Sequence, residues 1–129
     1  MLVIPQAPPT ATQYTEMKHT MEFNFGVMID SSKSQEELTT LLLEQFPNAT
    51  RDGGYIKANR NVLQLNDNFE YDILRSNEEK DGWIYYKYDL SVFPIEPVHL
   101  EEQRSLARVI ISAIRGSGDR AELVAEFEE

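Results

Sequence analysis

The side chains best suited to chemistry in this sequence are oxygen ligands gathered near its middle. Asn66-Asp67-Asn68, Glu70 and Asp72 place amides and carboxylates at alternate positions, which is the rhythm of a calcium-binding loop. Counted from Asn66, the sixth position is Tyr71 where such loops need glycine, and the twelfth is Asn77 where they need glutamate. The pattern therefore predicts no metal site.

The other candidate motifs do not predict catalysis or a cofactor either. The chain has no cysteine, and its two histidines, His19 and His99, stand alone. The loop acids Glu78 and Glu79 have no apolar surroundings in the sequence that would tune them as an acid and a base. Gly116-Ser-Gly118 follows a predicted helix, whereas a phosphate-binding loop opens one. We expect no catalytic residue, no metal and no cofactor.

A protein-binding face is the site that the remaining side chains favour. Tryptophan and tyrosine supply much of the energy at protein interfaces, and flanking carboxylates complement a basic partner. Side chains of both kinds fall on one face of a predicted hairpin, opposite the core. The predicted face comprises Glu70, Asp72, Trp83, Tyr85, Lys87 and Asp89.

Alternating apolar and polar residues predict the strands that must position this face. In the central hairpin, the register pairs Asp72 with Tyr85 on the open side and puts Phe69, Tyr71 and Ile73 on the core side. The predicted strands are 21–29, 55–58, 61–65, 69–74, 83–92 and 121–127.

Two helices complete the predicted fold. Ser34-Gln-Glu-Glu37 has the form of a capping box and opens a helix that Pro47 ends. A second helix runs from His99 to Arg115 with one apolar stripe. The order β-α-β-β-β-β-α-β predicts an α+β fold, a mainly antiparallel sheet with two helices packed on one face. Without one two-stranded hairpin it is the β-α-β-β-α-β order of ferredoxin-like domains.

The first residues differ in character from the rest of the chain. Pro5, Pro8 and Pro9 interrupt any helical or strand period, so residues 1–18 are predicted to form an extended N-terminal arm, and residues 19–129 a single α+β domain. The apolar start, Met1 to Ile4, is too short for a signal-peptide core, and no apolar run is long enough to span a membrane. These features predict a cytoplasmic protein that does not bind membranes.

The charge of the chain restricts its partners. The 129 residues carry 22 acidic and 12 basic side chains, a formal net charge of −10, and residues 67–129 hold most of the excess. Such a surface repels phosphate backbones, so nucleic-acid binding is not expected, whereas a protein with a basic surface would be attracted.

We therefore interpret the chain as a small acidic, non-enzymatic protein-binding domain, of the kind that an immunity protein or antitoxin uses to inhibit a basic partner. One alternative is an enzyme or small-ligand-binding domain that uses the carboxylates of Glu70, Asp72 and Asp89 beside Tyr85. Another is a homo-oligomeric structural domain, in which the same face contacts a second copy of the chain.

Overall fold

The computed structural model describes residues 23–127, which form one six-stranded sheet, three α-helices and a short 3-10 helix, Gly82–Tyr85. The predicted arm and its boundary at residue 19 lie outside the described residues. The strands are β1 (Phe25–Asp30), β2 (Thr50–Asp52), β3 (Tyr55–Ala58), β4 (Asn61–Asp67), β5 (Tyr88–Pro94) and β6 (Arg120–Val124). The α-helices are α1 (Gln35–Glu44), α2 (Ile73–Glu78) and α3 (Leu100–Gly116).

The sheet has the split topology that the element order predicts. Its strands lie in the order β2-β3-β4-β5-β1-β6, and all neighbours are antiparallel. Without β2 and β3, the long elements run β1-α1-β4-β5-α3-β6, and β5 lies between β1 and β4, the two strands that α1 connects. The predicted α+β class and mainly antiparallel sheet are confirmed.

The hydrophobic core lies between one face of the sheet and the two long helices. Alternate residues of β1 point into it, as the period-two pattern of that segment requires. Helical spacing in α1 and α3 brings an apolar stripe of each helix against them. The central members of this cluster are at most 1% exposed: Val27, Ile29, Leu38, Leu42, Leu90, Leu106 and Ile110.

Local sequence signals explain the beginning of α1 and the hairpin of β3 and β4. The Ser34 hydroxyl accepts a hydrogen bond from the Glu37 amide at 3.1 Å, and the Glu37 carboxylate accepts one from the Ser34 amide at 3.0 Å. The predicted capping box is therefore confirmed. Between β3 and β4, Asn59 and Arg60 have φ angles of 48° and 64°, which is typical of the type I′ turns that suit twisted hairpins.

The central hairpin differs from the prediction. Residues 69–74 are not a strand, and the strand predicted over 83–92 begins only at Tyr88. The strand that pairs with β5 in place of residues 69–74 is β4, with Leu63 opposite Val92 and Asp67 opposite Tyr88. The number of strands stays at six because Thr50–Asp52, which the alternation did not reveal, pairs with β3.

Candidate functional site

The segment that replaces the predicted hairpin is the connection from β4 to β5, residues 68–87, which we call the β4–β5 connection. Asn68 closes it. Its side-chain amide donates to the carbonyl oxygens of Ile84 at 2.8 Å and Tyr86 at 2.7 Å, and its backbone amide donates to the Lys87 carbonyl at 2.9 Å. One residue thus joins the beginning of the connection to its end.

Asp72 starts α2 inside this connection. Its Oδ1 accepts hydrogen bonds from the backbone amides of Leu74 at 3.0 Å and Arg75 at 3.1 Å, which are free donors at a helix N-terminus. The Asp72 amide in turn donates to the Tyr85 carbonyl at 3.1 Å. The predicted neighbours Asp72 and Tyr85 do meet, but at a helix cap and not in a strand ladder.

Arg120, the first residue of β6, anchors the connection to the sheet. Its guanidinium lies 4.7 Å from the centroid of the Tyr86 ring and donates through Nε to Asp30 Oδ2 at 3.0 Å. It also donates to Asn77 Oδ1 at 3.1 Å. Because charge-assisted hydrogen bonds and a cation–π contact act together here, the connection is held in a defined position on the sheet.

The outer side of the connection exposes large apolar side chains. Phe69 is fully exposed, Leu74 is 66% exposed, Ile73 60% and Tyr71 45%. We call these four residues the apolar ridge. The prediction that Phe69, Tyr71 and Ile73 face the core is wrong, because a turn follows Asn68 and α2 begins at Ile73, so the segment forms no strand with a core side. Several large apolar side chains exposed within one short segment of a protein are typical of an interaction site.

One side of the ridge is an open depression of about 620 Å³, bordered by Phe69, which we call the acidic flank. The carboxylates of Asp67, Glu70 and Asp89 line it, and no lysine or arginine is among its described lining residues. Asp67 accepts a hydrogen bond from Gln35 Nε2 at 2.9 Å. Burial raises the pKa of Asp89 above its usual value.

The other side of the ridge is a smaller depression of about 340 Å³, bordered by Tyr71, which we call the neutral flank. Its two carboxylates are paired: Asp30 with Arg120, and Asp119 with Lys33 at 2.8 Å. Burial alone would raise the pKa of Asp119, but hydrogen bonds from Lys33 and two serines hold it below its usual value. The two flanks therefore differ in charge: one carries uncompensated carboxylates, and in the other each carboxylate is paired with a basic side chain.

The aromatic members of the predicted face occupy a different element from the one expected. Trp83 and Tyr85 are half-buried in the 3-10 helix, so their predicted position on a strand is wrong. The Arg75 guanidinium lies 4.4 Å from the centroid of the Tyr85 ring, and Lys87 Nζ lies 5.2 Å from that of Tyr88. The Tyr85 ring already has a cation within the chain, which leaves less of it for a partner.

The three predicted carboxylates are divided between two roles. Glu70 and Asp89 come together at the acidic flank, Glu70 from the connection and Asp89 from β5. Asp72 caps α2, so its carboxylate is engaged within the chain. The six residues do not share one sheet face, because Asp89 alone among them lies on a strand and the other five belong to the β4–β5 connection.

The sequence analysis did not identify Asn68 as a site residue and did not predict that Phe69, Ile73 and Leu74 are exposed. Two sequence features nevertheless indicate the end of a strand and the start of a helix here. Asn66-Asp67-Asn68 is a run of turn-forming residues that breaks a strand, and Asp72 has the residue type and position of a helix N-cap. Period-two alternation over five residues was weaker evidence than these two signals together.

The described part of the chain contains neither a candidate metal site nor a candidate membrane-spanning helix. Within residues 23–127, no three histidine, aspartate or glutamate side chains are placed to hold a metal ion, and no helix is long and apolar enough to cross a membrane. The site combines exposed apolar side chains with carboxylates that form no ion pair within residues 23–127. Comparison of the chain with protein-family models, with curated proteins and with solved structures gives no significant match.

Proposed function

We propose that this chain is a small acidic, non-enzymatic protein-binding domain that docks on a basic partner protein through the β4–β5 connection. The observation that carries the proposal is the apolar ridge: four large apolar or aromatic side chains in six consecutive residues, each at least 45% exposed. An immunity protein or antitoxin would use such a surface to cover the functional site of its target.

The fixed position of the ridge supports this role. The Asn68 hydrogen bonds and the Arg120 contacts hold the connection before any partner arrives. A preorganised surface loses less conformational entropy on binding than a mobile loop does. The exposed side chains therefore contribute more of their burial energy to affinity.

The distribution of charge favours a basic partner. Six acidic and two basic side chains lie between Asp67 and Asp81, around the ridge, and the whole chain carries −10. Electrostatic attraction of this kind raises association rates and disfavours acidic competitors.

Affinity capture from cells of the source organism tests the proposal. The wild-type chain is immobilised and compared with Phe69→Ser/Leu74→Ser. Burial of a phenylalanine or leucine contributes about 1.5–3 kcal/mol, so losing both should weaken binding by a factor of about 100 or more. We expect a basic protein to be retained by the wild type and lost by the double variant.

The matched control is Tyr55→Ser/Val109→Ser, which removes two exposed apolar side chains from β3 and α3. This control should retain the same protein as the wild type. Equal retention by the ridge variant, or loss in both variants, would argue against docking through the ridge.

A further inference from the structure

We infer that the partner contacts the two flanks of the apolar ridge with different chemical groups. It places a lysine or arginine side chain in the acidic flank beside Phe69 and uncharged groups in the neutral flank beside Tyr71. The inference rests on the proposed function and adds the chemistry of the partner's two rims and the orientation in which it docks.

The acidic flank needs a cation when it is covered. Its carboxylates, Asp67, Glu70 and Asp89, form no ion pair with any lysine or arginine among residues 23–127. Asp67 accepts a neutral hydrogen bond from Gln35 at 2.9 Å, which does not compensate its charge. A partner that excludes water from this flank leaves three negative charges without compensation unless it supplies a positive one.

Phe69 makes the same flank a suitable place for a cation. Its ring borders the depression and is fully exposed, so a partner's ammonium or guanidinium group between the carboxylates also has an aromatic face within reach. Apolar contact and charge compensation are thus available to one lysine or arginine side chain, whose stem is apolar and whose end is charged.

The neutral flank needs no added charge when a partner covers it. Asp30 is already paired with Arg120, and Asp119 with Lys33. A further cation would compete with these internal donors, and an anion would compete with the carboxylates. Uncharged groups fill this side at the lowest cost, because both pairs then stay intact.

Photo-crosslinking at the ridge tests the inference. Phe69 is replaced by p-benzoylphenylalanine in an otherwise wild-type chain, the chain is irradiated in lysate of the source organism, and the adduct is identified by mass spectrometry. The same replacement is made together with Asp67→Lys/Glu70→Lys. The control is Asp52→Lys/Glu96→Lys, which changes the net charge equally at exposed positions outside the two flanks.

We expect one adduct, crosslinked at a peptide with a lysine or arginine next to the site of attachment, and a yield that falls at least tenfold with Asp67→Lys/Glu70→Lys. The Asp52→Lys/Glu96→Lys control should keep at least half of the wild-type yield. The same adduct at undiminished yield in the flank variant, or an equal loss in both variants, overturns the asymmetric inference alone. Absence of any adduct in the otherwise wild-type chain overturns the proposed function as well.

Discussion

Gly82 shows how closely the two halves of the β4–β5 connection approach each other. A β-carbon built on this residue would lie 2.3 Å from the backbone carbonyl oxygen of Ser76, well inside van der Waals contact. The requirement for glycine here comes from space and not from backbone conformation, since Gly82 is not among the residues with positive φ. Neither alternation nor turn statistics reveals such a contact, because it forms only once α2 and the 3-10 helix have folded together.

We predict that Gly82→Ala lowers the free energy of unfolding by about 1–3 kcal/mol, the usual cost of forcing an extra methyl group into a closed site. Urea unfolding followed by Trp83 fluorescence measures this, because Trp83 is half-buried in the same segment. Gly116→Ala is the matched control. A β-carbon at Gly116 meets nothing within 4 Å, so stability should stay unchanged or rise by up to about 1 kcal/mol. Equal losses in the two variants would contradict the close contact.

Asp89 gives a prediction on pH. Burial raises the pKa of this carboxyl, so the folded state favours its protonated form. That contribution to stability is complete below the pKa of the unfolded chain and is lost as pH rises through the higher pKa of the folded state. We expect Asp89→Asn to increase the free energy of unfolding relative to wild type at about pH 7 and to change it little at about pH 3.

Chemical unfolding at the two pH values checks the Asp89 prediction. Glu96→Gln, at an exposed position after β5, controls for the loss of one negative charge from the molecule. A gain at pH 7 that is the same for both variants would show net charge, and not burial of Asp89, to be the cause.

At the scale of elements, the hydrogen bonds of Asn68 join the two ends of the β4–β5 connection. Replacing Asn68 with alanine leaves the carbonyls of Ile84 and Tyr86 without their side-chain donor, at a cost of about 1–3 kcal/mol. We predict that Asn68→Ala speeds hydrogen exchange of amides in residues 69–87 and leaves β1 protected. Uniform acceleration across the whole sheet would indicate that the connection and the sheet unfold as one unit.

The elements with two agreeing signals could be predicted from the sequence. In α1 the capping box coincides with helical spacing and a terminating proline, and both ends are close to the prediction. In the β3–β4 hairpin, alternation on both sides meets at Asn59-Arg60. In β1, buried and half-buried residues alternate as the prediction requires, although the strand begins at Phe25 and not at residue 21. The strand predicted over 121–127 is shorter, since β6 spans Arg120–Val124.

The candidate site could be predicted only in part, for a physical reason. Alternation shows that Phe69, Tyr71 and Ile73 are apolar at every second position, but it does not say whether folding or a partner buries them. An apolar side chain that binds a partner is of the same residue types as one that packs in the core, so the residue type alone does not distinguish the two roles. Glu70 and Asp89, predicted to share one face, do line the same depression, whereas Trp83 and Tyr85 lie in a 3-10 helix and not on the predicted strand.

At the scale of the whole molecule, we propose complementary roles for the net charge of −10 and the exposed ridge. In this proposal, long-range attraction speeds the encounter with a basic partner, and apolar contact then slows its dissociation. We predict that raising the salt from about 50 to about 500 mM slows association with the captured partner at least tenfold while changing dissociation much less. Stopped-flow mixing with the Trp83 signal measures both rates, and a salt-independent association rate would remove the electrostatic part of the account.

Hydrogen–deuterium exchange on the purified complex tests the docking surface most directly. The free protein and the protein bound to its captured partner are compared peptide by peptide. If the β4–β5 connection is the docking surface, the largest gain in protection falls on peptides covering residues 66–74, with little change in β2 and β3. Protection confined to β2 and β3, or to α3, with residues 66–74 exchanging as in the free protein, would contradict it.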